Sequence, residues 1–479
     1  MNRASGVLMH VSSLWGSFSS GSFGNEAREF IDFIEMCGFS YWQTLPFCLP
    51  DNFGSPYSSY SSFSVNPFFI DLPTLFKKGL LTKDELAGAE QSTAFSCEFD
   101  KLSKNREKLF RAASERFGNE KEIEDFMKLH PHTENFCVFM ARLSANGNKK
   151  WQEWSDDEYD EDVLKTWRFI CFEFFREWDE IKKYANSRGI KIIGDIPIYV
   201  AENSSDVMEN PELFVLDERY MPKAVAGVPP DDFCKDGQLW GTPLYNWEKM
   251  KSDGFKWWRE RMEFMCELFD SVRIDHFRGI ESYYSVPAGE NTARHGKWLK
   301  GPGMDLINEL KKAAGERLLI AENLGFLTKD TEELLNESGF PGMRVLQFAF
   351  DGDQKSPHLP YNYENNCIAY TGTHDNNTLL GYVWELDEVR RRELFDYCGF
   401  TGEIWDSREA YFSIIRTMLE SSAGIVIFPA QDLLFYGSNT RFNTPGNPYD
   451  NWRWRVSREA FFSIDHKRLR RYNELYGRI

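Results

Sequence analysis

Short apolar runs alternate along the chain with amphipathic segments that end in glycine, the pattern of helix, tight turn and parallel strand. Asn25 to Met36 sets Ala27, Phe30, Ile34 and Cys37 on one helical stripe, Gly38 closes it, and Tyr41 to Phe47 follows as a strand. Val163 to Ser187 repeats the rhythm through Leu164, Trp167, Cys171, Phe174 and Trp178, then Gly189 and the run Ile190 to Val200. Phe255 to Asp270 leads into Ser271 to Phe277, and Leu306 to Ala314 with Gly315 leads into Leu318 to Glu322. Adding Gly6 to Ser12, Met343 to Phe348, Ile368 to Thr373 and Gly424 to Phe428 completes eight strands. Eight such units predict an α/β fold, a closed (β/α)8 TIM barrel.

Two stretches exceed a minimal barrel, and both are expected on its catalytic face. Residues 73–160 are charged and helical in pattern, which predicts a helical insertion subdomain. Residues 201–250, rich in Gly, Pro and aromatics, predict a loop-rich insertion over the active site, with 1–479 as one catalytic barrel. Within it, Ala226 to Trp247 carries Gln238, Trp240 and Tyr245 between glycines and prolines, as a loop that closes over a ligand would. The run Asp156 to Asp162 reads as a solvated helix start.

Composition narrows the partners. The 479 residues suit about three domains, or one barrel with insertions. Aromatics make up 16%, more than a core alone needs, so some are expected to line a site. A net charge of −18 repels phosphate backbones and anionic lipid, which argues against nucleic acid and membrane partners and leaves a neutral substrate open. Nine scattered cysteines without a CxxC pair read as reduced thiols. No targeting segment or membrane-length apolar run is read, and mean hydropathy is −0.50, so a soluble, cytoplasmic protein is expected.

Barrel enzymes place chemistry where strands end. Three carboxylates stand there: Asp275 in VRIDHFRG, Glu322 in LLIAENLG and Asp375 in YTGTHDNNT, from the fourth, fifth and seventh strands. Arg273, two residues before Asp275, shares its face of the strand and favours an ionised aspartate. Glu322 follows Ile320 and Ala321 with no cation beside it in sequence, a setting that favours the protonated form. Carboxylates driven to opposite protonation states are the nucleophile and acid of glycoside chemistry. His10, His276 and His374 also lie at strand ends. With no HExxH and no Cys/His spacing, they read better as hydrogen-bond partners of sugar hydroxyls than as metal ligands.

At these motifs the chain resembles the 4-α-glucanotransferases, the amylomaltases or disproportionating enzymes of glycoside hydrolase family 77. SGVLMHVSSL, YWQTLPF, GDIPIYVAENSSDV, VRIDHFRG, AENLG and YTGTHDNNT are similar to motifs of that family, as are AVAGVPPDDF, GQLWGTPLYNW, PGMRVLQFAF and TPGNPYDNWRWR. The resemblance covers essentially the whole chain. It implies Asp275 as nucleophile, Glu322 as general acid/base and Asp375 as the transition-state carboxylate. It implies sugar contacts from Tyr57, Asp195, Arg273, His276 and His374, acceptor-side contacts from Gln238 and Trp240, and a further contact from Asn451. It also implies no cofactor, no catalytic metal, no C-terminal β-domain, and as partners maltooligosaccharides, starch- or glycogen-derived α-1,4-glucans and glucose. An α-amylase-type hydrolase and a non-catalytic glucan-binding protein are the alternatives. The chain departs from the family pattern at Asn323 and Asn377, where carboxylates are usual, at Asp232, and in His10 to Trp15.

Overall fold

The computed structural model describes residues 1–51, 53–230, 235–447 and 449–479. Twelve strands are described in chain order: β1 Ala4–Leu8, β2 Tyr41–Gln43, β3 Lys191–Ile196, β4 Ala224–Val228, β5 Gln238–Pro243, β6 Ser271–Ile274, β7 Ser282–Pro287, β8 Lys297–Lys300, β9 Leu318–Ala321, β10 Gly342–Val345, β11 Cys367–Tyr370 and β12 Ile425–Pro429. Eight of them, β1, β2, β3, β6, β9, β10, β11 and β12, close into a parallel barrel in that order. β12 pairs with β1 from Ala4 opposite Ile425 to Leu8 opposite Pro429, which removes the sheet's edges. All eight coincide with apolar runs in the sequence, because a parallel strand covered on both faces reads as continuously apolar.

Several strands end earlier than those runs do. Phe47, Val200 and Phe277 remain buried, yet the ladders stop at Gln43, Ile196 and Ile274. Burial continues into the connections on the catalytic face after strand pairing has ended, so hydrophobicity alone overruns the boundary.

The outer helices follow their stripes. Asn25–Met36 buries Ala27, Phe30, Phe33 and Ile34, and Gly38 turns the chain at φ +79°. Glu161–Ser187 starts where the Asp160 carboxylate accepts the Asp162 N–H, so the acidic run is a helix cap. Its Phe174 and Trp178 pack with Phe23 and Phe47, tying the helix to the barrel. Between β2 and β3, helices Phe99–Arg116, Glu120–Leu129 and Pro131–Ala145 pack on that same long helix.

The described residues of 201–250 include two strands. β4 and β5 form an antiparallel pair within a four-stranded sheet of order β5-β4-β7-β8. This sheet is assembled from the connections that follow β3 and β6. β5 lies at its edge, where Gly241 and Pro243 are tolerated. The eight described cysteines are free, and Cys234 lies outside the described residues. Among the described residues no helix is long and apolar enough to cross a membrane.

Candidate active site

The register of β3 on β6 sets Asp195 opposite Arg273, so both project into the barrel at one level. Arg273 Nη1 donates to Asp195 Oδ1 and Oδ2, each at 2.7 Å, and Nη2 donates to Asp275 Oδ1 at 2.9 Å. Tyr57 Oη donates to Asp195 Oδ2 at 2.6 Å. A buried guanidinium needs such partners, since an unpaired buried charge costs several kcal/mol. Here the pairing also fixes Asp275, one residue beyond β6, whose N–H reaches Ile196 O at 3.1 Å.

Glu322 directly follows β9. Its two oxygens accept backbone N–H bonds from His276, at 2.8 Å, and from Leu324, at 2.6 Å. Burial pushes its carboxyl up to about 7; Arg273 opposes the rise and the charge of Asp275 adds to it. His276 is held in the left-handed region at φ +46°, and burial drives its imidazole down to about 4, so the ring is neutral. Its Nε2 is buried without a hydrogen-bond partner among the described residues. Trp452, across the cleft, is also left-handed at φ +65°. Such strain gathers at sites where the backbone must present a side chain.

The third carboxylate comes from the connection after β11. Asn443 Nδ2 donates to Asp375 Oδ1 at 2.7 Å, and His374 Nε2 stands 3.4 Å from Oδ2. Tyr57 stacks on His374 with centroids 5.2 Å apart, and Trp452 flanks both rings. On the opposite side the Trp240 ring meets His276 edge-on at 4.9 Å, and Trp240 Nε1 donates to Gln238 Oε1 at 3.2 Å.

These groups surround one cleft of ≈ 490 Å³. Asp275, Glu322, Asp375, Tyr57, Gln238, Trp240, His276, His374 and Asn451 line it, while Asp195 and Arg273 lie beneath its floor. A more open groove of ≈ 740 Å³ runs along Glu388, Arg392 and Tyr397, away from the strand-end carboxylates. Two expectations need correction. His10 is buried between Phe47 and Phe69 with Nδ1 3.2 Å from Thr44 Oγ1, outside the cleft lining. Tyr245 is 1% exposed, its hydroxyl donating to Ile198 O at 2.7 Å, and packs in the core. Asn451 lines the cleft as expected of a site residue, its amide accepting from the Thr444 N–H and donating to Asn447 O.

Two supports of Asp375, Asn443 and Arg441, stand outside the residues that the sequence singles out. Arg441 Nη2 donates to Asp375 O at 2.9 Å. Asn443 abuts the TPGNPYDNWRWR motif, and that adjacency was the available signal. Among the described residues no three His, Cys, Asp or Glu side chains are grouped to hold a metal ion.

Comparison with known proteins places this arrangement. The sequence profile of glycoside hydrolase family 77, described as 4-alpha-glucanotransferase, matches residues 9–460. The 4-alpha-glucanotransferase of Clostridium butyricum is 41% identical over 98% of this chain and 100% of its own. That of Streptococcus pneumoniae serotype 4 is 40% identical, over 100% of this chain and 98% of its own. The chain belongs to glycoside hydrolase family 77. The amylomaltase from Streptococcus agalactiae in complex with acarbose superposes with a TM-score of 0.95 at 35% identity, covering 100% of both chains.

Two of the departures read from the resemblance, Asn323 and Asn377, are built into the site's supports. Asn323 Oδ1 accepts the Met343 N–H at 2.6 Å, linking the end of β9 to β10. Asn377 Nδ2 donates to Glu385 Oε1 at 2.6 Å while its Oδ1 accepts the Thr378 N–H at 2.8 Å. An aspartate at 377 would set two carboxylates face to face, and the amide makes that contact a hydrogen bond. Asp232 lies outside the described residues.

Proposed function

We propose that this family 77 enzyme moves α-1,4-glucan segments from a maltooligosaccharide or starch- or glycogen-derived donor to glucose or another glucan, by a retaining double displacement. Glu322 gives its proton to the glycosidic oxygen while an Asp275 oxygen bonds to the anomeric carbon and the carbon–oxygen bond breaks. The leaving segment departs with a free 4-hydroxyl. An acceptor 4-hydroxyl then attacks the same carbon, returns its proton to Glu322 and releases Asp275. Two inversions retain the α configuration.

The carrying observation is that Asp275 and Glu322 meet in one cleft in different settings. Asp275 takes a hydrogen bond from Arg273, whereas burial favours the proton on Glu322. Asp375, steadied by Asn443 and His374, would hold ring hydroxyls of the reacting sugar. The unpartnered His276 Nε2 offers a further hydroxyl contact. Tyr57, Trp240 and Trp452 suit the apolar faces of pyranose rings. The reading needs no cofactor or metal, takes no nucleic acid or membrane as partner, and assigns the enzyme to cytoplasmic carbohydrate metabolism.

Asp275→Asn, Glu322→Gln and Asp375→Asn test it. Each should lower kcat on maltotriose by about 10³-fold or more with the fold retained, because each removes a bond-making or charge-stabilising step. Near-normal turnover in any one removes that residue from the mechanism.

A further inference from the structure

Residues 371–378, which carry His374 and Asp375, leave β11 and run into the helix Leu379–Glu385. Thr373 N and Oγ1 both donate to Asn376 Oδ1, at 2.9 and 2.8 Å, and the Asp375 N–H donates to Thr373 Oγ1 at 3.2 Å. Those bonds fix the shape of the turn and not its attachment to the barrel. Its tip is held by Arg441 on Asp375 O and by the Asn443 N–H on His374 O at 3.1 Å.

The base of the segment is held by one carboxylate. Asp432, on the short helix Ala430–Leu434 that follows β12, accepts the Thr371 hydroxyl on Oδ2 at 2.5 Å and the Leu379 N–H on Oδ1 at 2.7 Å. Its two oxygens therefore bind the residue that enters the segment and the residue that leaves it. Gln347 Nε2 reaches Asn377 O at 2.7 Å, on the exit side alone. Asp432 is 1% exposed and has no ion-pair partner among the described residues. A carboxylate buried without a cation is costly to keep, and it does not line the cleft.

We propose that Asp432 is a positioning residue that clamps both ends of the 371–378 segment and thereby aims His374 and Asp375 at the reacting sugar. The proposal rests on the role assigned to Asp375 above. Misplacing a reacting group by about 1 Å costs on the order of 10²-fold in rate. Asp432→Ala should therefore lower kcat on maltotriose by about 10- to 100-fold while KM stays within about threefold. Asp432→Asn should stay within about threefold of the parent, because its Oδ1 accepts from Leu379 and its Nδ2 donates to a Thr371 hydroxyl turned to accept. Burial pushes the Asp432 carboxyl up to about 7, so a neutral side chain of this shape matches a form the native group itself takes near neutrality.

The deciding experiment is a double-mutant cycle with Asp375→Asn, with kcat and KM measured well below the melting temperature of every variant. If Asp432 acts through Asp375, adding Asp432→Ala to Asp375→Asn costs less than about threefold, far below its cost alone. Should Asp432→Ala fail to fold, Thr371→Val removes one of the two bonds and enters the same cycle. A full, additive loss in the Asp375→Asn background overturns the clamp. So does a folded Asp432→Ala with parental kcat, or an Asp432→Asn as slow as Asp432→Ala. Full turnover by Asp375→Asn alone overturns the site reading itself, and the clamp with it.

Discussion

Glu322 holds its proton near neutrality because the cleft removes water from it, and this sets the sign of the pH response. The first chemical step needs the acid form, so kcat/KM, which reports the free enzyme, should fall about tenfold per pH unit as pH rises beyond about 7. A plateau extending to pH 9 would contradict the assignment of Glu322 as the acid. The strand-end carboxylates were legible because each interrupts an apolar run where a ladder ends. His10 shows the limit of that signal. A histidine at a strand end reads the same whether it enters the cleft or, as here, packs against Phe47 and Phe69. Asn443 and Arg441 were not legible because their role depends on a contact with Asp375, 68 and 66 residues away.

The antiparallel pair β4–β5 brings Gln238 and Trp240 to the cleft on an edge strand whose outer side has no strand partner among the described residues. An edge strand over a glucosyl-enzyme is suited to excluding water while a sugar hydroxyl enters. Trp240→Ala should therefore raise the ratio of hydrolysis to transfer on maltotriose, measured as new reducing ends against longer products, rather than slow both equally. An unchanged ratio in a folded variant would place acceptor preference elsewhere. The barrel strands were legible at this scale because burial on both faces makes them uniformly apolar. The second sheet was not: Gly227, Gly241 and Pro243 break the alternation that marks a strand, and β4 finds its partner in the distant β7, from Ala224 opposite Pro287 to Gly227 opposite Tyr284, with β8 added beyond β7.

Beside the ladder of β1 on β12 that closes the barrel, two arginines bind backbone carbonyls. Arg478 is 1% exposed and donates to the carbonyls of Leu419, Ala4, Ala423, Gly424 and Ser421, joining β1 to the segment that leads into β12, with no carboxylate partner among the described residues. Arg3 adds bonds to Leu419, Ser421 and Tyr476 carbonyls from the other end of the chain. Arg478→Ala takes a donor from five carbonyls, of which Leu419 and Ser421 keep Arg3 and Gly424 keeps the Ala4 N–H, and should destabilise the fold by about 2 kcal/mol, read as a lower urea midpoint. A midpoint unchanged from the parent would show that water replaces the guanidinium. The eight-strand rhythm made the barrel legible from end to end, whereas this pin was invisible, since a penultimate arginine carries no local pattern. Transfer and hydrolysis part at the glucosyl-enzyme, where either a sugar hydroxyl or water attacks. Pure maltotriose incubated with the protein should yield glucose together with maltopentaose and longer α-1,4-glucans, with the number of reducing ends constant. Glucose and maltose in equal amounts, with reducing ends rising and no longer products, would contradict it.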